Sequence, residues 1–311
     1  MKIETFVKKL NLEIKSLRWD FQESKTGFEL IINNNSIGFS NINSELEVEV
    51  RRWFRSSHAD GQVYEPGMIA TISLLSKLYK RKVMFYDVGA LFGYFSFIAA
   101  NFFNDCKVLI VEANPYSCAS INAIKKVKSG QIKVLNGLLS NESSIKRYLI
   151  EGYSFFQEKS LNFYIMAFRR LVKYYIKSAF NLIGFQLFNP KILIADIKVL
   201  TLPEIFQPDS KNVLEIFKFD TEGFQSVFLP PFINELCSRE PIILLEMDSP
   251  EKMSNFGVTN NEILQLFIER GYLSIWLDHR TFGEASLIST IDKSQDKNSL
   301  CILMPHSKLI R

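Results

Sequence analysis

Acids at the ends of apolar runs are the residues of this chain whose types and spacing can do chemistry. The run Val83-Met84-Phe85-Tyr86-Asp87-Val88 passes into the turn Gly89-Ala90-Leu91-Phe92-Gly93, and an apolar stretch begins at Tyr94. Val108-Leu109-Ile110-Val111 then ends in Glu112, 19 residues after Gly93. A strand, a glycine-bearing turn, a helix and a second strand ending in an acid can hold a nucleotide-like ligand at the carboxyl ends of two neighbouring parallel strands. Gly89 permits a tight turn and close approach of backbone to ligand, and Gly93 lets the helix pack near its strand. Asp87 stands where a carboxylate meets a polar or positively charged edge of that ligand. Ala90 and Tyr94 belong to the same turn and count with the cofactor-binding residues. Glu112 can accept hydrogen bonds from both hydroxyls of a ribose; taken alone, it reads rather as a solvated acid beside the helix that Pro115 starts.

The ligand is narrowed by what the turn lacks. A dinucleotide fingerprint is G-x-G-x-x-G, and only Gly89 and Gly93 are present. An acid leading the turn would repel a pyrophosphate. It suits S-adenosylmethionine (SAM), which has no phosphate and carries an amino group and a sulfonium. An NAD(P)-linked oxidoreductase is the alternative that these two features disfavour.

Two further acidic segments follow. Lys218-Phe219-Asp220-Thr221-Glu222-Gly223-Phe224 ends the run from Val213, which places Asp220 and Glu222 at the ligand-bearing edge of a sheet. They can bind a divalent cation such as Mg, orient a hydroxyl or act as a general base; the plainer reading is a helix N-terminus favoured by acids. Leu244-Leu245-Glu246-Met247-Asp248 repeats the pattern, and a Glu246 buried at a strand end needs a partner. His279, in the loop after Trp276-Leu277-Asp278, and His58 read as surface residues rather than catalysts.

These residues need a scaffold of alternating strands and helices. Helical periodicity over Met68–Tyr79 precedes strand Val83–Val88, helix Tyr94–Phe103, strand Lys107–Glu112, helix Pro115–Lys126 and strand Ile132–Leu135. Later strands are read at Val213–Asp220, Ile242–Met247, Leu273–Leu277 and Leu300–Met304. This alternation predicts an α/β, doubly wound, mostly parallel sheet with helices on both faces. Residues 1–60 read as an N-terminal extension, a small α+β cap or oligomerisation piece ahead of a domain over 61–311. It has a helix-compatible start and strand-like segments around Phe28–Ile32 and Leu46–Val50. Residues 155–194 interrupt the rhythm with aromatic and basic side chains. Arg170, Lys173, Lys177 and Asn181 recur at helical spacing. That predicts an inserted helical lid or dimer face, or else a basic amphipathic helix over 163–185 resting on a membrane surface.

Composition excludes several classes. With 47% hydrophobic residues, 27 of them Phe, wholesale disorder is excluded. A net charge of +4 fits a weak attraction to anionic substrates or surfaces and does not argue for nucleic acid. Cys106, Cys118, Cys237 and Cys301 form no C-x-x-C pair and read as reduced thiols. The charged N-terminus has no signal-like apolar core, and no 18-residue apolar window exists. The expectation is a cytoplasmic protein, with peripheral contact to the inner membrane face if the basic helix is a membrane helix.

Together, Tyr64-Glu65-Pro66, Asp87 to Tyr94, Val111-Glu112-Ala113-Asn114-Pro115, Lys218 to Phe224, Leu245-Glu246 and Gly271-Tyr272 resemble the FkbM family of SAM-dependent methyltransferases. The resemblance covers residues 64–150 and 198–305. It implies a class I methyltransferase (Rossmann-like) fold, a seven-stranded sheet whose last strand is antiparallel. It also implies O-methyl transfer to a hydroxyl of a sugar, glycan or secondary metabolite. Asp87, Gly89 and Gly93 would line the methionine and ribose of SAM, Glu112 would take the ribose hydroxyls, and Asp220 and Glu222 would face the reaction centre. A hydroxyl acceptor also needs a base or a cation, a role that Asp220 can fill with Glu222 or Glu246 assisting. The chain departs from the family in having Leu91 where Asn is usual, Thr221 for Val and Gln225 for Glu. The Leu91 change removes a polar contact near the cofactor. A degenerate, non-catalytic binding module is the second reading.

Overall fold

The computed structural model describes residues 1–24, 27–40, 47–124, 131–151, 154–157, 172, 192–207, 212–292 and 295–309. Helix α1 (Ile3–Ser16) is followed by the antiparallel meander β1 (Trp19–Ser24), β2 (Gly27–Ile32) and β3 (Asn35–Ser40), then by helices α2 (Glu47–Ser57) and α3 (Pro66–Leu78). The central alternation runs β4 (Val83–Val88), α4 (Tyr94–Phe102), β5 (Cys106–Glu112), α5 (Pro115–Ile124) and β6 (Ile132–Asn136). Next come β7 (Leu138–Leu139), β8 (Ser144–Glu151), β9 (Ser154–Gln157) and β10 (Ile192–Leu200). The chain continues through β11 (Leu214–Phe219), α6 (Gln225–Ser238), β12 (Ile242–Met247), α7 (Pro250–Ser254) and α8 (Asn260–Ile268). It closes with β13 (Tyr272–Leu277), β14 (Ser286–Ile288), β15 (Ser299–Pro305) and α9 (His306–Leu309).

The main sheet has the order β14-β13-β15-β12-β11-β4-β5-β6. Strands β6, β5, β4, β11 and β12 are parallel neighbours, and β15 runs antiparallel between β12 and β13. This is the expected doubly wound, mostly parallel arrangement with its last long strand reversed. It has eight strands rather than seven, because β14 adds an antiparallel edge to β13. All six residues of β4 and of β12 are buried, as a parallel sheet covered on both faces requires. Alternate side chains feed two cores. Val83 and Phe85 join α3 and α4 through Ile72 and Phe97, whereas Met84, Tyr86 and Val88 join α6 and α8 through Phe228 and Leu264. The first core also takes Phe6, Leu10 and Ile14 of α1 and Phe39 and Phe54 of the meander region. Among the described residues no helix is long and apolar enough to cross a membrane.

Three differences from the sequence reading have physical causes. The stretch read as a strand around Leu46–Val50 contains the start of helix α2: Val50 and Phe54 are both fully buried, so burial follows a four-residue rather than a two-residue spacing. A second sheet, β7-β10-β8-β9, was not read at all. In β10, Ile197 and Val199 are buried while Asp196 and Lys198 are exposed, an alternation whose antiparallel partner β8 lies some 40 residues earlier. Finally, the predicted insertion over 155–194 has strand at both edges, β9 to Gln157 and β10 from Ile192. Apart from Val172, an exposed helical residue, its interior lies outside the described residues, and with it the face of Arg170, Lys173, Lys177 and Asn181.

Candidate active site

Strand register gathers the acids that the sequence scattered. Val88 pairs with both Val111 and Phe219, and Phe219 pairs with Leu245. The next residues, Gly89, Glu112, Asp220 and Glu246, therefore emerge side by side at the carboxyl edge of four parallel strands. The chain order reverses between β4 and β11, which makes this edge a topological switch point, where α/β sheets bind ligands. Glu246 and Leu277 both pair with Leu300, so the loop carrying His279 opens on the same edge.

The turn after β4 is built on positive φ. Gly89 has φ +77°, and a Cβ there would sit 1.8 Å from the Asp220 carbonyl oxygen. Its N–H donates to Val111 O at 3.0 Å, and Asp220 N–H donates to Val88 O at 3.1 Å. Gly89 is thus the point where two strand ends touch through backbone alone. Gly89→Ala should lower stability by about 2–3 kcal/mol, through the clash and the left-handed φ together; urea unfolding measures it, and a loss under about 0.5 kcal/mol would contradict this packing. Ala90 O accepts from Gly93 N–H at 2.7 Å and closes the turn. Gly93, at φ +74°, faces Phe97, Ile110 and Ile121.

Leu91 also has positive φ, +51°. Asn tolerates that region better than Leu, so the turn holds Leu91 in a backbone conformation that its side chain disfavours. The contact that Leu91 does make is through its main chain: its N–H donates to Glu112 Oε2 at 2.8 Å. Asn114 N–H donates to Glu112 Oε1 at 2.7 Å. Burial raises the Glu112 carboxyl to about 7, against the opposing pull of the Asn114 and Leu91 donors. Glu112 is a fixed acceptor beside the glycine turn, 7% exposed, with lone pairs left for a donor.

Asp87 is fully buried. Ser96 Oγ donates to it at 2.7 Å, and Lys218 Nζ lies 3.3 Å from its other oxygen. Lys218, on β11, is itself buried and donates to Asp220 at 3.0 Å. Burial opposes a charge on Lys218, yet Asp220 and Asp87 outweigh it and hold the ammonium above its ordinary range. Asp87 therefore acts beneath the turn, while Asp220, whose side chain is 25% exposed, is open to a ligand. Burial alone would raise the Asp220 carboxyl; the Lys218 charge, with hydrogen bonds from Glu246 and Lys218, takes it down to about 2. Glu246 moves the opposite way, raised by burial and by the Asp220 charge.

Asp220 and Glu222, expected to act as a pair, are turned apart. Glu222 has φ +56°, its carboxylate is 71% exposed, and it pairs with Lys252. Lys252 also reaches Asp248, which accepts from Gly223 N–H at 2.6 Å and Gln225 Nε2 at 2.9 Å. Tyr94 points away from the edge into an aromatic cluster. Its hydroxyl lies 3.1 Å from His58 Nε2, and His58 stacks on Phe21 at 4.2 Å. Residue 94 can offer a cofactor only its main chain. His58 is buried, contrary to its surface reading, and burial lowers its basicity.

His279, also read as a surface residue, is fully buried. Gly67 N–H donates to His279 O at 3.0 Å, and a Cβ on Gly67 would lie 2.7 Å from His279 Cα, so α3 begins directly against this loop. Glu65 precedes α3 with φ +48° and is 3% exposed. Its Oε1 is 3.3 Å from His279 Nε2 and 3.9 Å from Arg280 Nε, and Arg280 Nη2 reaches Glu246 Oε1 at 3.1 Å. The Tyr64 hydroxyl is held strongly protonated by burial and by Glu65 and Asp220. The sequence reading assigned no role to Lys218, Glu65 or Arg280. A lysine inside an otherwise apolar buried strand was the available signal, since such a charge requires acids around it. Two surface hollows of about 400 and 270 Å³ involve none of these residues. The cysteines are free, with Cys106, Cys118 and Cys301 buried.

No family model matches the chain, and no curated protein matches it. Among solved structures it is similar to the methyltransferase FkbM from Methylobacillus flagellatus KT, at 9% identity and TM-score 0.39 over 85% of this chain. It spans 61% of that protein's length. It is similar to a precorrin-6y C5,15-methyltransferase from Geobacter metallireducens GS-15, at 11% identity and TM-score 0.34 over 76% of this chain and 84% of that one. It is also similar to TYW2 from M. jannaschii in complex with AdoMet, at 8% identity and TM-score 0.36 over 91% and 87% of the two chains. Likenesses this distant carry no functional weight.

Proposed function

We propose that the chain is a SAM-dependent methyltransferase that transfers a methyl group to a hydroxyl oxygen of a glycan or secondary metabolite. The observation that carries this reading is the Gly89–Gly93 turn at the switch point with Glu112 fixed beside it. Gly89 lets the turn close against the Asp220 backbone and so sets it at the sheet edge, and Glu112 supplies a carboxylate for two ribose hydroxyls. The carboxylates of Asp87 and Asp220, held about Lys218 next to the turn, put negative charge where a pyrophosphate would be repelled.

Methyl transfer from a sulfonium is an in-line displacement, for which positioning supplies most of the rate. Asp220, kept ionised by Lys218 and exposed at the edge, would accept a hydrogen bond from the acceptor hydroxyl and orient its lone pair on the methyl. The proton that leaves would pass to the Asp220–Glu246 pair. SAM would be held by the main chain of the turn and by Glu112; the acceptor would lie over β11 and β12. The acceptor class rests on the family resemblance. Comparing glycans by mass spectrometry from cells with and without the protein should reveal a lost methyl group.

Calorimetric titration with SAM and NAD side by side tests the cofactor: SAM should bind and NAD should not, and the reverse result sinks the reading. The Glu112 carboxyl adds a sharper signature. Its value moves from an ordinary 4.5 to about 7 in the fold. Between those values the folded chain keeps a proton that the unfolded chain has lost, so this group weakens the fold as pH rises through the window. Ribose hydroxyls favour the ionised carboxylate, so cofactor binding should release a proton. Affinity for SAM should be about tenfold tighter at pH 8 than at pH 6. Glu112→Gln should flatten that profile; an unchanged profile would remove Glu112 from the ribose site.

A further inference from the structure

We infer that Glu65, Glu246 and His279 form a binding site for a divalent transition ion, of the Mn(II) or Zn(II) kind. One ligand atom from each comes within 4.8 Å of the others, and all three residues are buried. Three separate elements deliver them: the residue before α3, the end of β12 and the loop after β13. The second observation is His279. It is fully buried, yet neither ring nitrogen has a hydrogen-bond partner among the described residues. Its Nε2 sits 3.3 Å from Glu65 Oε1 without the alignment of a hydrogen bond. A buried imidazole left this way loses its solvation with no return. Two ligands on one ion look like this: metal–ligand bonds of about 2.1 Å put neighbouring donor atoms roughly 3.0–3.4 Å apart.

The donor set selects the ion. One imidazole with two carboxylates suits Mn(II) or Zn(II) better than Mg or Ca, which prefer oxygen alone. Arg280 is the built-in competitor. It bridges Glu246 and Glu65 from outside, and its 47% exposure leaves it room to swing away when an ion enters. The proposed acceptor hydroxyl lies next to this cluster, because Asp220 and Glu246 emerge side by side at the sheet edge. If the proposed function holds, on which only this last step rests, the ion would lower the hydroxyl's pKa and stabilise the oxygen that attacks the methyl.

Equilibrium dialysis of the full chain against MnCl2 and ZnCl2 separately, with elemental analysis of the protein, tests the site. One ion per chain is expected for at least one of the two metals. Glu65→Gln and His279→Gln should each weaken binding at least tenfold, and Glu222→Gln should leave it unchanged. Arg280→Gln should tighten it, a gain that misfolding cannot mimic. No bound ion in wild type and Arg280→Gln alike overturns the site, as does an ion that survives both ligand substitutions in folded protein. SAM titration on the same samples separates the two ideas. An ion bound without SAM supports the site and sinks the cofactor reading; SAM bound without an ion does the reverse.

Discussion

Lys218→Met is expected to cost the fold about 3–5 kcal/mol. Lys218 is 1% exposed and lies between Asp87 at 3.3 Å and Asp220 at 3.0 Å. Methionine fills the space but leaves two carboxylates, one of them fully buried, without their cation. The energy lost is that of stranded charge rather than of the ion pair itself, which desolvation makes weak on balance. A second substitution separates these causes. Asp87→Asn in the Lys218→Met background should restore part of the loss, although Asp87→Asn alone destabilises. Urea unfolding of the four chains gives the coupling directly. A Lys218→Met loss below about 1 kcal/mol, or strict additivity in the double variant, would mean that the buried charges do not depend on one another.

Asp220→Asn should reduce turnover by about 10²–10⁴-fold while leaving SAM affinity nearly unchanged. The side chain is the open member of the network: Lys218 holds one face, and the side chain is 25% exposed at the sheet edge. Asparagine keeps the size and one carbonyl oxygen but cannot carry the charge that draws the acceptor proton. Release of S-adenosylhomocysteine with an acceptor-bearing extract fraction measures turnover, and calorimetry on the same protein measures SAM. Full turnover in Asp220→Asn would remove Asp220 from the reaction; a joint loss of turnover and SAM binding would place it in the cofactor site instead. Glu222→Gln is a useful contrast, because that carboxylate is 71% exposed and turned to Lys252.

The strands that carry these residues were legible because they are long apolar runs punctuated by acids and glycines. The bounds of β4 and β12 agree with the sequence reading to the residue, since a strand buried on both faces is apolar throughout and stops where polarity begins. Helix α2 was misread because two valines alternating with glutamates imitate a strand, and the deciding contacts of Val50 and Phe54 are made with residues far along the chain. The smaller sheet has a related cause: the alternation in β10 is confined to Asp196–Val199, and β8 and β10 are strands through pairing with each other across a distance that the local sequence does not show.

The sequence by itself determined that a glycine turn follows an apolar strand, that Glu112 ends the next one, and that Asp220 and Glu246 end two more. Those are local facts, set by hydrophobic runs and by the chain's need for glycine where φ is positive. Only the tertiary structure decided what each acid does. Asp87 and Asp220 are both strand-end aspartates, yet Lys218 shuts one beneath the turn and leaves the other open. Glu222 is two residues from Asp220 and turns to solvent, while Glu65 and His279, 214 residues apart, meet in the interior. The physical reason is that charge state and exposure depend on neighbours within a few ångströms, which the sheet's register brings together and sequence proximity does not.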